Sequence, residues 1–213
     1  METQQAAEHL QVIRTLMERS SVYRRALAPV MTFNGIIGTA AAVAGLALKI
    51  EAPRPFILFW AGVAVAALAG SFVLVRRQAL KDSEPFWSPP TRRVTQAFLP
   101  PLVAGSLISG IILMRSGPSP SEGMSALAML WLPLGWLVLY GCAMNAAGFF
   151  MTRGIKLFGW AFILAGCALF AVDLPNGEQQ RFVAHGIMGI FFGVLHLAYG
   201  IYLYFTEKRG NES

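Results

Sequence analysis

Six apolar stretches divide the chain, each long enough or nearly long enough to cross a membrane as a helix. A hydrocarbon core about 30 Å thick requires roughly 20 apolar residues in a helix. None of the six contains an aspartate, glutamate, lysine or arginine, and the alternating pattern of strands is absent. The pattern predicts an all-α membrane protein, a six-span transmembrane helical bundle occupying residues 26–205. The predicted spans are residues 26–48, 55–75, 94–114, 124–150, 157–172 and 182–205.

An amphipathic segment precedes the first span. Leu10, Ile13, Leu16 and Met17 recur at helical spacing, with charged and polar residues between them. Residues 1–25 are therefore predicted to form an interfacial helix on the inner leaflet. A second hypothesis makes the same helix a docking site for a cytoplasmic protein partner. The residues assigned to docking are Arg14, Glu18 and Arg19.

The composition agrees with a chain that is solvated largely by lipid. Hydrophobic residues make up 55% of the sequence and charged residues only 13%, against about 25% charged residues in soluble domains. This shortage of charge excludes an ordinary soluble enzyme. The lipid bilayer is thus the first predicted partner.

The cations lie mainly on one side of the predicted membrane. Thirteen of the 17 lysines and arginines fall on the side of the N-terminus, and four fall on the other side. Cytoplasmic loops collect lysine and arginine, so we predict a bacterial inner-membrane protein with both termini, including the tail at 206–213, in the cytoplasm. The net charge of +6 is thereby explained without a nucleic-acid partner. The four outer cations are Lys49, Arg54, Arg115 and Arg181.

Several short segments resemble a group of uncharacterised bacterial multi-span inner-membrane proteins. They are the segments IRTLMERS (13–20), FWSPPTRR (86–93), PPL (100–102) and FGVLHLAYG (192–200). The resemblance implies location and architecture. It assigns no activity and no catalytic residue.

The last span carries the candidate ligand-binding residues. His185 and His196 are eleven positions apart, so in a regular helix they point within about 20° of each other and lie about 16 Å apart. Gly189 and Gly193 lie between them on the same stripe. An ionisable residue within a membrane is a functional hypothesis by default. These four residues are therefore the candidate cofactor or ligand site.

A structural role for the same residues is the alternative. Gly189 and Gly193 form a GxxxG pattern that lets another helix approach closely. A neutral His196 would then hydrogen-bond across the packed interface, with Tyr140, Thr39 or Ser106 as the partner. Asn34 and Asn145 would make similar bonds. Glycines on the first and last spans would serve packing within one chain or a homo-oligomer equally well.

Haem is the cofactor that this stripe suggests, since glycines beside histidine make room for a porphyrin. Ligation by two histidines requires a facing histidine at the same depth. The remaining histidine, His9, lies outside the predicted spans. A histidine–methionine pair or a symmetric dimer would be needed, so the cofactor stays undetermined.

Catalytic signatures are missing from the sequence, and no catalytic or metal site is predicted. Six spans and Ala184-His185 on the last span resemble rhomboid proteases, but Leu107 stands where the Gly-x-Ser-Gly motif needs glycine before Ser109. There is no P-loop, HExxH or GxSxG motif. Two cysteines, Cys142 and Cys167, exclude a disulfide framework and a four-cysteine zinc site.

Two functions follow from these observations. The first is a non-enzymatic membrane subunit or signalling module whose basic cytoplasmic face contacts a partner. The second is a small-molecule binder or transporter that uses the stripe of histidine and glycine on the last span. The substrate, the partner and the oligomeric state are left open by the sequence.

Overall fold

The computed structural model describes residues 21–81, 86–87, 89–175 and 177–212. Six of its helices are long and apolar enough to cross a membrane, and the described residues contain no strand. The predicted all-α, six-span bundle is confirmed. The interfacial helix predicted for residues 1–25 lies outside the described residues, except that the backbone from Ser21 to Arg25 forms the start of the first helix.

Six spans follow one another along the chain with short connections. Helix α1 is Ser21–Ala47, α2 is Pro53–Lys81, α3 is Pro89–Arg115 and α5 is Arg153–Phe170. Helix α4 consists of Glu122–Ala126, a π-helical segment Leu127–Trp131, and Leu132–Ala147. Helix α6 consists of Gln180–Met188, a π-helical segment Gly189–Leu195, and His196–Glu212.

The observed helices run past the predicted spans at the ends that the sequence predicts to be cytoplasmic. Helix α2 continues through Arg76 and Arg77 to Lys81, and α5 begins at Arg153 rather than at residue 157. A count of apolar residues ends a predicted span at the first charged residue. Helical hydrogen bonding continues beyond that point, because long basic side chains can reach the headgroup layer while their stems stay in apolar surroundings.

The helices pack as two groups, α1 with α2 and α6, and α4 with α3 and α5, and the groups meet where α4 contacts α6. Helix α1 lies between α2 and α6, and α4 lies between α3 and α5. The largest core cluster draws on α1, α4, α5 and α6, and it includes Met31, Leu137, Phe162 and Ile187. Helices α2 and α3, although consecutive, make few direct contacts with each other. A gap between them is therefore bounded by α1 and α4.

Glycines allow α1 and α6 to approach closely. A β-carbon at Gly193 would lie 2.6 Å from the backbone nitrogen of Thr39, and one at Gly189 would lie 2.6 Å from the β-carbon of Ala42. These glycines therefore serve packing within one chain, and a homo-oligomer stays a prediction. The α1 glycines Gly35, Gly38 and Gly45 similarly face Leu197, Phe192 and His185.

The substitution Gly193→Ala tests this close approach. Because the obstructing atoms belong to the backbone of α1, the helices must separate, and overpacking of this kind costs about 1–3 kcal/mol. We expect a lower midpoint of thermal unfolding in detergent. The matched control is Gly186→Ala on the same helix, where nothing lies within 4 Å of the added carbon. Equal midpoints for the two variants would contradict the packing described here.

Candidate functional site

A large cavity occupies the gap between α2 and α3. Its volume is about 770 Å³, and its walls come from α1, α2, α3 and α4, with α6 and the start of α5 contributing a few residues. Along α2 it extends from Ile57 to Val75, eighteen positions or about 27 Å at 1.5 Å per residue. The lining is almost entirely apolar. Its polar side chains are Asn34, Trp60, Ser71, Thr91, Thr95, Ser106, Ser109, Trp136, Tyr140 and His196.

His196 lies at the inner wall of this cavity and is held by two hydrogen bonds. Its Nε2 is 2.7 Å from the hydroxyl of Tyr140 on α4, and its Nδ1 is 2.9 Å from the carbonyl of Phe191 on its own helix. Rings of Phe158 and Phe162 pack edge-on against the imidazole. His196 is therefore fully enclosed, and both of its ring nitrogens are satisfied.

These partners determine where the proton of His196 sits. A carbonyl only accepts hydrogen bonds, so Nδ1 carries the hydrogen and donates it to Phe191. A neutral imidazole then accepts at Nε2, which means that the Tyr140 hydroxyl donates. The neutral form is the one favoured in an enclosed apolar site, where an uncompensated charge is costly.

His185 lies near the end of the bundle that carries the α1–α2 loop, in a different environment. Trp60 Nε1 donates to its Nδ1 at 3.3 Å, and its Nε2 donates to the carbonyl of Ile50 at 3.2 Å. The imidazole is completely buried, with Phe56 and Phe59 edge-on to it. Since an indole only donates and a carbonyl only accepts, His185 is neutral and carries its hydrogen on Nε2.

The bond to Ile50 is one of two that fasten the α1–α2 loop to α6. Arg181, one turn before His185, forms an ion pair with Glu51 of the same loop. Within this loop, two residues after the end of α1, Lys49 has a positive φ of 52°, a conformation common where helices end. His185 thus joins α1, α2 and α6 at this end of the bundle, and its role there is structural.

The structure separates the four residues proposed from the last span. Of these, His196 lines the cavity, whereas His185, Gly189 and Gly193 do not. The π-helical segment Gly189–Leu195 lies between the two histidines. Its i→i+5 hydrogen bonds place more residues in each turn, so the direction expected from a regular helix does not carry across it. His185 therefore meets α2, and His196 meets α4 and α5.

The expected hydrogen bond between His196 and Tyr140 is confirmed. The other two suggested partners bond instead to their own helices. Thr39 donates to the carbonyl of Gly35, and Ser106 donates to the carbonyl of Leu102. Back-bonding of this kind is the local alternative open to serine and threonine in helices.

A second polar pair lies on the cavity wall at a similar depth. Ser71 of α2 donates to the Oδ1 of Asn34 on α1 at 3.1 Å. Gly35 lies against Leu197 and Gly45 against His185, so α1 and α6 run antiparallel. Asn34 and His196 therefore differ in depth by two residues, or about 3 Å. Sequence reasoning missed Ser71.

The described residues offer little to a metal or a haem iron. Among them, no group of three histidine, cysteine, aspartate or glutamate side chains is placed to hold a metal ion. Axial ligation by His196 would use the Nε2 lone pair that already accepts from Tyr140. A haem at this position would therefore have to displace Tyr140.

The predicted docking residues Arg14, Glu18 and Arg19 lie outside the described residues. Their proposed role stays a prediction.

Fold and cavity together define this chain as a multi-pass α-helical membrane protein with an intramembrane cavity. No family model, no curated protein and no solved structure matches the chain. The cavity is therefore the feature of this chain that points to a function.

Proposed function

We propose that this chain is an inner-membrane protein that binds a neutral lipophilic small molecule in the cavity between α2 and α3. The observation that carries the proposal is the cavity: about 770 Å³, within the range of about 300–1,000 Å³ found for ligand pockets. This is the small-molecule alternative derived from the sequence. The proposed binding site is now the cavity between α2 and α3 instead of the stripe of histidine and glycine on α6.

The chemistry of the wall favours an apolar, uncharged ligand. None of the described lining residues is an aspartate, glutamate, lysine or arginine. A charged ligand would enter the hydrocarbon region with no counter-ion, at a cost of several kcal/mol. The length of the groove along α2, about 27 Å, suits an extended hydrocarbon or prenyl chain better than a compact solute.

Access from the bilayer is open to such a ligand. Helices α2 and α3 make few contacts with each other, and Leu68, Phe72 and Leu99 line the cavity while remaining largely exposed. A molecule dissolved in the membrane can therefore enter sideways between these helices. No aqueous route is needed.

The cytoplasmic orientation of both termini belongs to the same proposal. Arg76, Arg77 and Lys81 end α2 on one side, and Arg153 begins α5 on that side. The positive-inside rule assigns this side to the cytoplasm. It is also the face that a protein partner would meet, and the docking hypothesis for residues 8–25 stays a prediction. So does the resemblance to bacterial inner-membrane proteins.

Filling the cavity tests the binding proposal. The half-buried Ala67 lines the cavity, and Ala67→Trp places an indole in the groove. We expect native mass spectrometry in mild detergent to show a lipophilic molecule on the parent protein and at least about a tenfold lower occupancy on this variant. That factor corresponds to about 1.4 kcal/mol.

The neighbouring residue provides the matched control. Ala66 is exposed and does not line the cavity, so Ala66→Trp adds the same side chain to the same helix without entering the groove. It should keep the bound molecule. The proposal fails if both variants carry it equally, or if the parent protein carries only phospholipid that both variants retain.

Orientation is tested with single cysteines in a Cys142→Ser, Cys167→Ser background. Gly117 follows α3 and Lys81 ends α2, and both residues are exposed. In intact cells, an impermeant maleimide should label Gly117→Cys, while Lys81→Cys should react only after the membrane is opened. Labelling in the reverse order would overturn the proposed topology.

A further inference from the structure

We infer that the cavity contains a headgroup site at Asn34 and Ser71 that selects a ligand with a free hydroxyl, such as a long-chain or prenyl alcohol. The inference rests on the proposed function, because it names the class of molecule that the cavity takes. Most hydrogen-bonding atoms on the cavity wall already have partners within the protein, and those without one determine which headgroup fits.

The hydroxyl and indole hydrogens on the wall are used within the protein. Ser106 and Ser109 donate to the carbonyls of Leu102 and Gly105 at 2.9 and 2.7 Å. Thr95 donates to the carbonyl of Thr91 at 2.9 Å. A ligand therefore meets oxygen lone pairs along these positions rather than donors.

The polar hydrogens of Trp136 and Tyr140 are also donated to partners within the protein. The indole of Trp136 donates to Ser109 Oγ at 2.9 Å, and the hydroxyl of Tyr140 donates to His196. Both ring nitrogens of His196 are engaged. A ligand carbonyl would thus find no donor among these side chains unless a hydrogen bond within the protein is broken first.

Asn34 is the exception on the described part of the wall. Its Oδ1 accepts from Ser71 at 3.1 Å, whereas its Nδ2 hydrogens have no protein partner there. Both side chains are half-buried and line the cavity. A donor and an acceptor, Asn34 Nδ2 and Ser71 Oγ, are therefore presented side by side.

A hydroxyl group completes this pair as a closed ring of three hydrogen bonds. Ser71 donates to Asn34 Oδ1, Asn34 Nδ2 donates to the ligand oxygen, and the ligand hydroxyl donates to Ser71 Oγ. Each group in the ring then gives one hydrogen and accepts one. An ether or an aldehyde can accept from Asn34 but has no hydrogen to donate to Ser71 Oγ, so the ring stays open.

The test uses farnesol, farnesyl methyl ether and farnesal, which share one chain and differ at the headgroup. Radiolabelled farnesol is bound to the full-length protein in detergent, with Ala67→Trp protein measured in parallel to subtract partitioning into the micelle. We expect farnesol to bind about tenfold more tightly than the ether or the aldehyde.

Two serine variants test whether the preference for farnesol depends on the Asn34–Ser71 pair. Ser71→Ala removes the acceptor for the ligand hydroxyl and should reduce the preference for farnesol to about twofold or less. Ser106→Ala is the matched control, because Ser106 also lines the cavity but donates its hydroxyl hydrogen to its own helix instead of to Asn34. It should leave the preference unchanged. A preference that survives in Ser71→Ala would overturn the assignment to this pair.

The outcomes separate this inference from the proposed function. Equal binding of all three compounds, lost in Ala67→Trp, would refute the hydroxyl site and leave the cavity as a binding site. Tighter binding of the aldehyde or the ether would also refute it. Binding that is the same in the parent protein and in Ala67→Trp would overturn both.

Discussion

Inside a bilayer, a polar side chain has to find its hydrogen-bond partner within the protein, and the arrangement of this bundle depends on that constraint. Both ring nitrogens of His196 bond to Tyr140 and Phe191, those of His185 to Trp60 and Ile50, and the Oδ1 of Asn34 accepts from Ser71. Each such bond contributes only about 0.6 kcal/mol on average in membrane proteins. Their larger effect is directional, since each fixes which helices face one another and at which depth.

The close contact between α1 and α6 makes these bonds possible. Glycines at 189 and 193 let the backbones approach, which sets Asn34 at about the level of His196. Helix α1 also holds α2 through the Asn34–Ser71 pair, while α3 stays with α4. The gap between α2 and α3 is therefore a consequence of how the two groups are tied together. The same helix packing therefore produces both the cavity and the similar depth of Asn34 and His196 on its wall.

Fold class and one hydrogen bond, between His196 and Tyr140, followed from the sequence, but the site did not. Runs of uncharged apolar residues suffice to predict the six spans, and the enclosed His196 had few possible partners, among them Tyr140. The π-helical segment at 189–195 has no evident sequence signal, so regular-helix geometry placed both histidines on one stripe. The cavity exists because α2 and α3 make few contacts with each other. A pattern along a single helix carries no information about such a gap.

The most direct test of this account is the tautomer of each intramembrane histidine, measured by solid-state ¹⁵N NMR on histidine-labelled protein in bilayers at neutral pH. The His9→Gln and His185→Phe variants assign the signals. The account predicts two neutral rings with opposite tautomers: hydrogen on Nδ1 in His196 and on Nε2 in His185. A charged His196, or hydrogen on its Nε2, would mean that Tyr140 does not donate to it. The hydrogen-bond assignment of the cavity wall would then be wrong.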